Sequence, residues 1–376
     1  MVTLSPEDRR AQIVGTGLIG GSIGLGLRRR GWHVTGRDID ASRAARAFEL
    51  GAVDRVGTDR APLVTFVATP ASAVAGVALD ALKALDGHGP GVGSGRPPGA
   101  GTPGVVTDVA GIKGPVLGQV DHPRFVGGHP MAGSEQSGVD GSDPDMFEGA
   151  TWVLTPAAHT DPAAFATVRS VVSALGANVV ELPASRHDDL VALVSHVPHL
   201  TAATLMNLAA DTAVEHATLL RLAAGGFRDM TRIAAGDSAI WPDICVENRA
   251  GILDVLDRLV AALSQVRSVV ADGDRGLLLK LLERAREERV NLPAGVPASE
   301  ATVEVRVPVS DRPGVLAEVT TMLGEMGVNI YDLEIAHSAE GDRGVLVLVV
   351  GSSYTERVRD ALHEREFRCS VRPLRT

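Results

Sequence analysis

Three glycines in Ile13-Val14-Gly15-Thr16-Gly17-Leu18-Ile19-Gly20 follow an apolar run at the spacing G-x-G-x-x-G. The first suits a tight turn and the second lets a backbone approach a diphosphate. The third lets a helix pack on a strand, with phosphate held at the helix N-terminus. Asp38 ends the next apolar run, roughly 20 residues beyond the loop, where an acid binds the ribose of a dinucleotide. That acid repels a 2′-phosphate and favours NAD, whereas Arg37 beside it could grip the phosphate of NADP. A third apolar run ends at Thr69-Pro70. Gly15, Gly17, Leu18, Ile19, Gly20, Asp38, Thr69 and Pro70 are therefore the candidate cofactor-binding residues.

Five other segments are unusually polar: TDVAGIKG (107–114), GGHPMAGSEQSG (127–138), SHVPH (195–199), FRDMTR (227–232) and DSAIWPDICVENR (237–249). His129 follows a strand pattern and precedes Pro130, which restrains it to an extended conformation. This puts it at the carboxyl end of the sheet, where ligands bind in open α/β folds. A neutral imidazole there can take a proton from a substrate hydroxyl as hydride leaves the same carbon. His196 and His199 lie three apart, near one helix face. Two histidines without a placed third ligand make a poor metal site. Asp229 and Arg232 are also three apart. Arg232 can bind a carboxylate through both arms of its guanidinium, or simply pair with Asp229 on a surface.

These residues sit on recognisable elements. Strand patterns at 11–14, 33–38, 63–68, 105–107, 124–126, 152–154 and 178–182, with helices at 20–30 and 163–175, predict a parallel α/β sheet. The segment 87–104 is too rich in Gly and Pro for a packed element and is expected to be a surface loop. Helices follow from Ser185. Ile252, Leu256, Leu259, Leu263, Val266 and Val270 form one stripe, which faces either its own domain or a second subunit. After a linker at 291–299 come strands at 302–309, 330–337, 345–350 and 368–373, with helices at 314–326 and 355–365. This is a ferredoxin-like βαββαβ plan.

The bulk properties agree. The chain has 376 residues, 45% hydrophobic, with a net charge of −10. That is length for two or three domains, and the charge argues against nucleic acid. No run is long enough to span a membrane and no secretory signal is read at the start. Cys245 and Cys369 lie far apart, as reduced thiols of a cytoplasmic protein. No metal site is expected.

Taken in order, GTGLIGGS, GGHPMAGSEQSG, SHVPH, GGFRDMTRIA and WPDICVENR resemble the prephenate dehydrogenase family of tyrosine biosynthesis over nearly the whole chain. The terminal unit carries Asp311-Arg312-Pro313-Gly314-Val315-Leu316 and Gly327-Val328-Asn329-Ile330, and resembles an ACT domain. The resemblance implies a Rossmann-type dinucleotide-binding domain over 1–183, a helical substrate and dimerisation domain over 184–293, and an ACT domain over 294–376. It implies NAD-dependent oxidative decarboxylation of prephenate to 4-hydroxyphenylpyruvate by a homodimer. His129 would meet the ring hydroxyl, Arg232 a substrate carboxylate and His199 the same site. Ser134, Ser195, His196, Trp241, Glu135 and Asp229 would lie around the substrate. An effector, tyrosine by expectation, would bind near Asp311, Pro313, Gly314, Val315, Asn329 and Ile330. Two alternatives remain open: arogenate as the substrate, and an inactive amino-acid sensor. One departure stands out, since Gly111 occupies a position where the family often has serine.

Overall fold

The computed structural model of the chain describes residues 8–87, 104–133, 136–215, 222–236, 238–290, 302–310, 312–337 and 343–373. Most of the Gly/Pro-rich segment, the linker at 291–299, and the site candidates Ser134, Glu135 and Asp311 lie outside the described residues. The chain divides into two compact units, Met1–Val260 and Ala261–Thr376.

The first unit opens with β1 (Arg10–Val14), α1 (Leu18–Arg29), β2 (His33–Arg37), α2 (Ala41–Glu49), β3 (Arg55–Val56), β4 (Val64–Val67), α3 (Ala71–Gly87), β5 (Val105–Asp108) and α4 (Gly114–Gln119). It continues with β6 (Phe125–Pro130), β7 (Thr151–Thr155), α5 (Pro162–Ala174) and β8 (Asn178–Glu181). The strands form one sheet ordered β3-β2-β1-β4-β5-β6-β7-β8. All pairings from β3 to β6 are parallel, so the carboxyl ends of β1, β4, β5 and β6 share one edge. Val64–Val67 is buried throughout, as a strand covered on both faces must be. Ile13, Phe66, Trp152 and Leu154 anchor the core. Each large apolar side chain buried there contributes about 1.5–3 kcal/mol.

Two features differ from the sequence expectation. β7 runs antiparallel to β6, so the sheet is mixed rather than wholly parallel. The chain returns from β6 without a crossover helix, and a return of that kind pairs antiparallel. Helices α2 and α3 were not anticipated. The inner face of α3 is Val74, Ala75, Ala78 and Leu82, and alanine gives a helix face little contrast in a sequence pattern.

Helices follow: α6 (Ala184–Val191), a π-helical turn (Ala192–His196), α7 (Val197–Glu215), α8 (Gly225–Thr231), a 3-10 turn (Arg232–Ala235), α9 (Trp241–Glu247) and α10 (Arg249–Ala271). The division between the units falls within α10. The apolar stripe of that helix has two fates. Ile252 and Val255 are buried with Ala192 and Val197, and Leu256 and Leu259 pack against them. Leu263 and Val270 are 56% and 59% exposed.

The second unit continues with α11 (Arg275–Val290), β9 (Thr302–Ser310), α12 (Val315–Glu325), β10 (Ile330–His337), β11 (Arg343–Gly351), α13 (Thr355–Glu364) and β12 (Ser370–Pro373). Its four strands form an antiparallel sheet ordered β10-β11-β9-β12. Val305, Val307, Leu346 and Leu348 of the sheet pack with Val319, Leu323, Val358 and Leu362 of α12 and α13. This is the βαββαβ arrangement expected from the sequence.

Candidate active site

The glycine loop joins β1 to α1 at the ligand-binding edge of the sheet. Gly15 has φ +96°, and a Cβ there would lie 2.2 Å from the Ala68 carbonyl oxygen. A Cβ on Gly20 would lie 2.0 Å from the Gly15 carbonyl oxygen. At Gly17 nothing stands within 4 Å, and no side chain caps the start of α1. The first amides of α1 are thus left for an anion. Thr69 Oγ1, next to this loop, is buried without a hydrogen-bond partner among the described residues. Asp38 Oδ2 accepts from Thr16 N at 2.8 Å, and Oδ1 accepts from Asp40 N at 3.0 Å. The carboxylate is therefore set in place at the end of β2. Open space, free amides, an orphaned hydroxyl and a placed acid are what a dinucleotide requires. Leu18 and Ile19 open α1, with Ile19 packed on the core, and Pro70 directly precedes α3. Arg37 lines a separate cavity of about 230 Å³ with Gln12, Asp59 and Asp80.

β6 extends past the end of β5. Val106 and Thr107 pair with Phe125 and Val126, while residues 127–130 pair only with β7. Side chains take the place of the missing strand. Gly128 N donates to Asp108 Oδ1 at 3.0 Å, and Lys113 Nζ donates to the Gly128 carbonyl at 2.8 Å. Lys113 and Asp108 also pair with each other, both wholly buried. Desolvation lowers the Lys113 pKa, while Asp108 beside it favours the charge. A Cβ on Gly128 would lie 2.6 Å from the Asp108 carbonyl oxygen, so only glycine permits this close approach.

This frame presents His129. Its Nδ1 lies 2.9 Å from His187 Nε2, and His187 Nδ1 lies 2.7 Å from Asp188 Oδ1. Asp188 also accepts from the Lys113 and Gly114 amides at 2.8 and 2.7 Å. Burial, then the electrostatic influence of His187, Lys113 and His196, pushes the His129 imidazole well below its ordinary value. The shift favours the neutral imidazole. On the other side of the ring, a Cβ added to Gly111 would stand 3.6 Å from Nε2. The loop that departs from the family pattern thus faces the histidine, and glycine adds no side chain against that face. Burial opposes ionisation of Asp188, but hydrogen bonds from His187 and the two amides outweigh it and hold its carboxyl below the usual range.

The π-helical turn carries Ser195 and His196. Pro198 lacks an N–H, and its ring would crowd the carbonyl four residues earlier; the widened turn relieves this. Such turns often mark functional sites. His196 Nδ1 meets Asn248 Nδ2 at 3.1 Å, and that amide also donates to the Asp188 carbonyl at 2.9 Å. Burial pushes His196 down to about 4. Trp241 lies edge-on to His196 and stacks on His199, with ring centroids 3.6 Å apart in the latter pair. Burial lowers the pKa of His199 as well. His129 and His196 are thus joined through His187, Asp188 and Asn248, with His199 and Trp241 alongside. Arg232 opens its 3-10 turn on the surface, and Asp229 is exposed on α8.

His187, Asp188, Lys113, Asp108 and Asn248 were not singled out from sequence. His187 and His129 are separated by 58 positions, and no local spacing joins them. The adjacent pair His187-Asp188 was the one available signal. In the second unit, Gly314 and Val315 line a cavity of about 150 Å³ together with Arg312, Ile335, Gly344 and Leu346. Pro313 and Asn329 are exposed beside the two turns, and Ile330 packs against the core of the unit.

Comparison with known proteins matches three segments of the chain. Residues 97–181 match the family described as "Prephenate dehydrogenase, nucleotide-binding domain", residues 183–284 "Prephenate dehydrogenase, dimerization domain" and residues 301–367 "ACT domain". Prephenate dehydrogenase of Bacillus subtilis (strain 168) is 32% identical, over 89% of this chain and 90% of its own. A crystal structure of prephenate dehydrogenase from A. aeolicus, with hydroxyphenyl propionate and NAD+, is 28% identical. It covers 77% of this chain and 100% of its own, with TM-score 0.68. Synechocystis arogenate dehydrogenase is 30% identical and covers 74% of this chain and 98% of its own, with TM-score 0.61. A relative 32% identical over most of both chains and the three matched segments agree, and the chain belongs to the prephenate dehydrogenase family.

Proposed function

We propose that this chain catalyses the NAD-dependent oxidative decarboxylation of prephenate to 4-hydroxyphenylpyruvate. The observation that carries the reading is a half-buried His129 at the carboxyl end of β6, whose burial favours the neutral imidazole and whose Nε2 faces Gly111. That side takes the proton of the ring hydroxyl as hydride leaves the same carbon. NAD, when bound, accepts the hydride. Loss of the ring carboxylate then aromatises the product, and its electrons arrive on the ring oxygen. The His129 imidazolium returns the proton there, so atoms and charge balance without a separate decarboxylation catalyst. Gly15, Gly17 and Gly20 take the diphosphate, with Leu18, Ile19, Thr69 and Pro70 around it, and Asp38 the ribose. Arg232 takes a substrate carboxylate as a charge-assisted pair. His199, His196, Ser195 and Trp241 complete the substrate side, with Ser134, Glu135 and Asp229 as further polar groups.

Three domains carry these roles: 1–183 the cofactor, 184–293 the substrate and dimer contacts, and 294–376 feedback by an amino acid, tyrosine by our reading. An apolar groove of about 480 Å³ is lined by Leu193, Val197, Met230, Ile233, Val255 and Leu259. With the exposed second half of the α10 stripe, it supports a homodimer. Among the described residues no helix is long and apolar enough to cross a membrane, and both cysteines are free; a cytoplasmic site of action is part of the proposal. Arogenate is the second reading, favoured by the Synechocystis relative.

Steady-state rates with prephenate and arogenate, each with NAD and NADP, test the assignment. Prephenate with NAD should give the highest kcat/KM. His129→Ala should lower kcat by roughly 10²–10⁴. Turnover of neither substrate, or an unchanged kcat in the variant, overturns the reading.

A further inference from the structure

We infer that His187 is a positioning residue that, anchored by Asp188, holds the His129 proton on Nδ1 and leaves Nε2 as the accepting nitrogen. The inference rests on His129 being the base proposed above. Asp188 Oδ1 can only accept at 2.7 Å from His187 Nδ1, so His187 carries its proton there. In a neutral His187 imidazole Nε2 is then an acceptor, and the 2.9 Å contact with His129 Nδ1 is filled by a proton belonging to His129. The lone pair of His129 is thereby placed on Nε2, the nitrogen facing Gly111. A hydrogen bond to one ring nitrogen sets the tautomer of the other.

The supporting geometry is tight. His187 is wholly buried, and Asp188 is fixed by the amides at the start of α4. The loop from Asp108 to Gly114 therefore touches both ends of the chain of groups. Gly111 stands at the reacting face of His129, while Lys113 and Gly114 hold the acid that orients it. Asn248 ties the Asp188 backbone to His196, which anchors α6 beside His187.

Selective ¹⁵N-histidine labelling reads the tautomer in the unaltered protein, with the His129 signals assigned by their loss in His129→Ala. At pH 7.5 the expected result is a protonated Nδ1 and a bare Nε2. A bare Nδ1 overturns the inference. In kinetics, His187→Phe should lower kcat on the order of 10²-fold, with KM for prephenate and affinity for NAD within about twofold. His187→Gln, which restores an acceptor, should recover at least tenfold of that loss. An unchanged kcat in His187→Phe, or no recovery by glutamine in a folded variant, overturns it. If His129→Ala itself keeps full kcat, the proposed base has failed. If His129→Ala fails to turn over while His187→Phe turns over normally, only the positioning role has failed.

Discussion

Replacing Gly111 tests which face of His129 reacts. A Cβ at this position would sit 3.6 Å from Nε2 and 3.7 Å from Cε1 of His129, which is ordinary van der Waals contact. Gly111 is also outside the left-handed backbone region. Gly111→Ala should therefore fold without strain. Loss of unfolded-state freedom should even stabilise it by about 0.4–1 kcal/mol, or roughly 1–4 °C in Tm. Activity should move the other way. On the proposed mechanism, the methyl occupies space through which the substrate hydroxyl reaches Nε2. Weakening one hydrogen bond there costs about 1–1.5 kcal/mol, close to a tenfold loss in kcat/KM. Gly111→Ser carries a hydroxyl one bond further, within reach of Nε2, and replaces apolar bulk with a polar partner for the same oxygen. It should keep activity at or above that of the parent. The assay is kcat/KM for prephenate at saturating NAD, with Tm measured alongside. If alanine leaves kcat/KM unchanged, Nε2 is not the reacting face. If alanine lowers Tm by several degrees, the loop is packed differently from what the 3.6 Å separation implies.

Three further outcomes are expected. The acid limb of kcat/KM should fall well below the ordinary histidine value of about 6.5, because burial and the neighbouring groups hold His129 neutral; equal rates at pH 6 and 7.5 agree, while a half-point at or above 6.5 does not. Folding stability should decline as pH falls from about 6.5 towards 4, because His196 stays neutral in the fold down to about 4 whereas the unfolded chain takes up its proton earlier; a flat denaturation midpoint over that window contradicts this. Lys113→Met should cost about 3–5 kcal/mol by leaving a buried Asp108 without its counter-charge, and Lys113→Met with Asp108→Asn should recover much of it in chemical denaturation; a single variant within 1 kcal/mol of the parent shows that the pair does not hold β6.

The glycine loop, the acid at the end of β2, the histidine before Pro130 and the βαββαβ unit were all legible in the residue order. Each is a local device: a turn that admits only glycine, a residue restrained by the proline after it, an alternation with period two. Physical chemistry acts there over a few neighbouring positions, so spacing alone carries the information. Helix α3 escaped because its buried face is partly alanine, and the antiparallel β7 because strand direction depends on how the chain returns. The groups around His129 were set by tertiary structure alone. Lys113 and Asp108 bury opposite charges against an open strand edge, and a buried pair has meaning only once the fold has removed water from it. His187 and Asp188 arrive from a helix distant in sequence. The residue order singled out His129. In our inference the packing of α6 against the β5–α4 loop decides which of its two nitrogens is free, because a tautomer is set by the partner opposite, and only the fold supplies one.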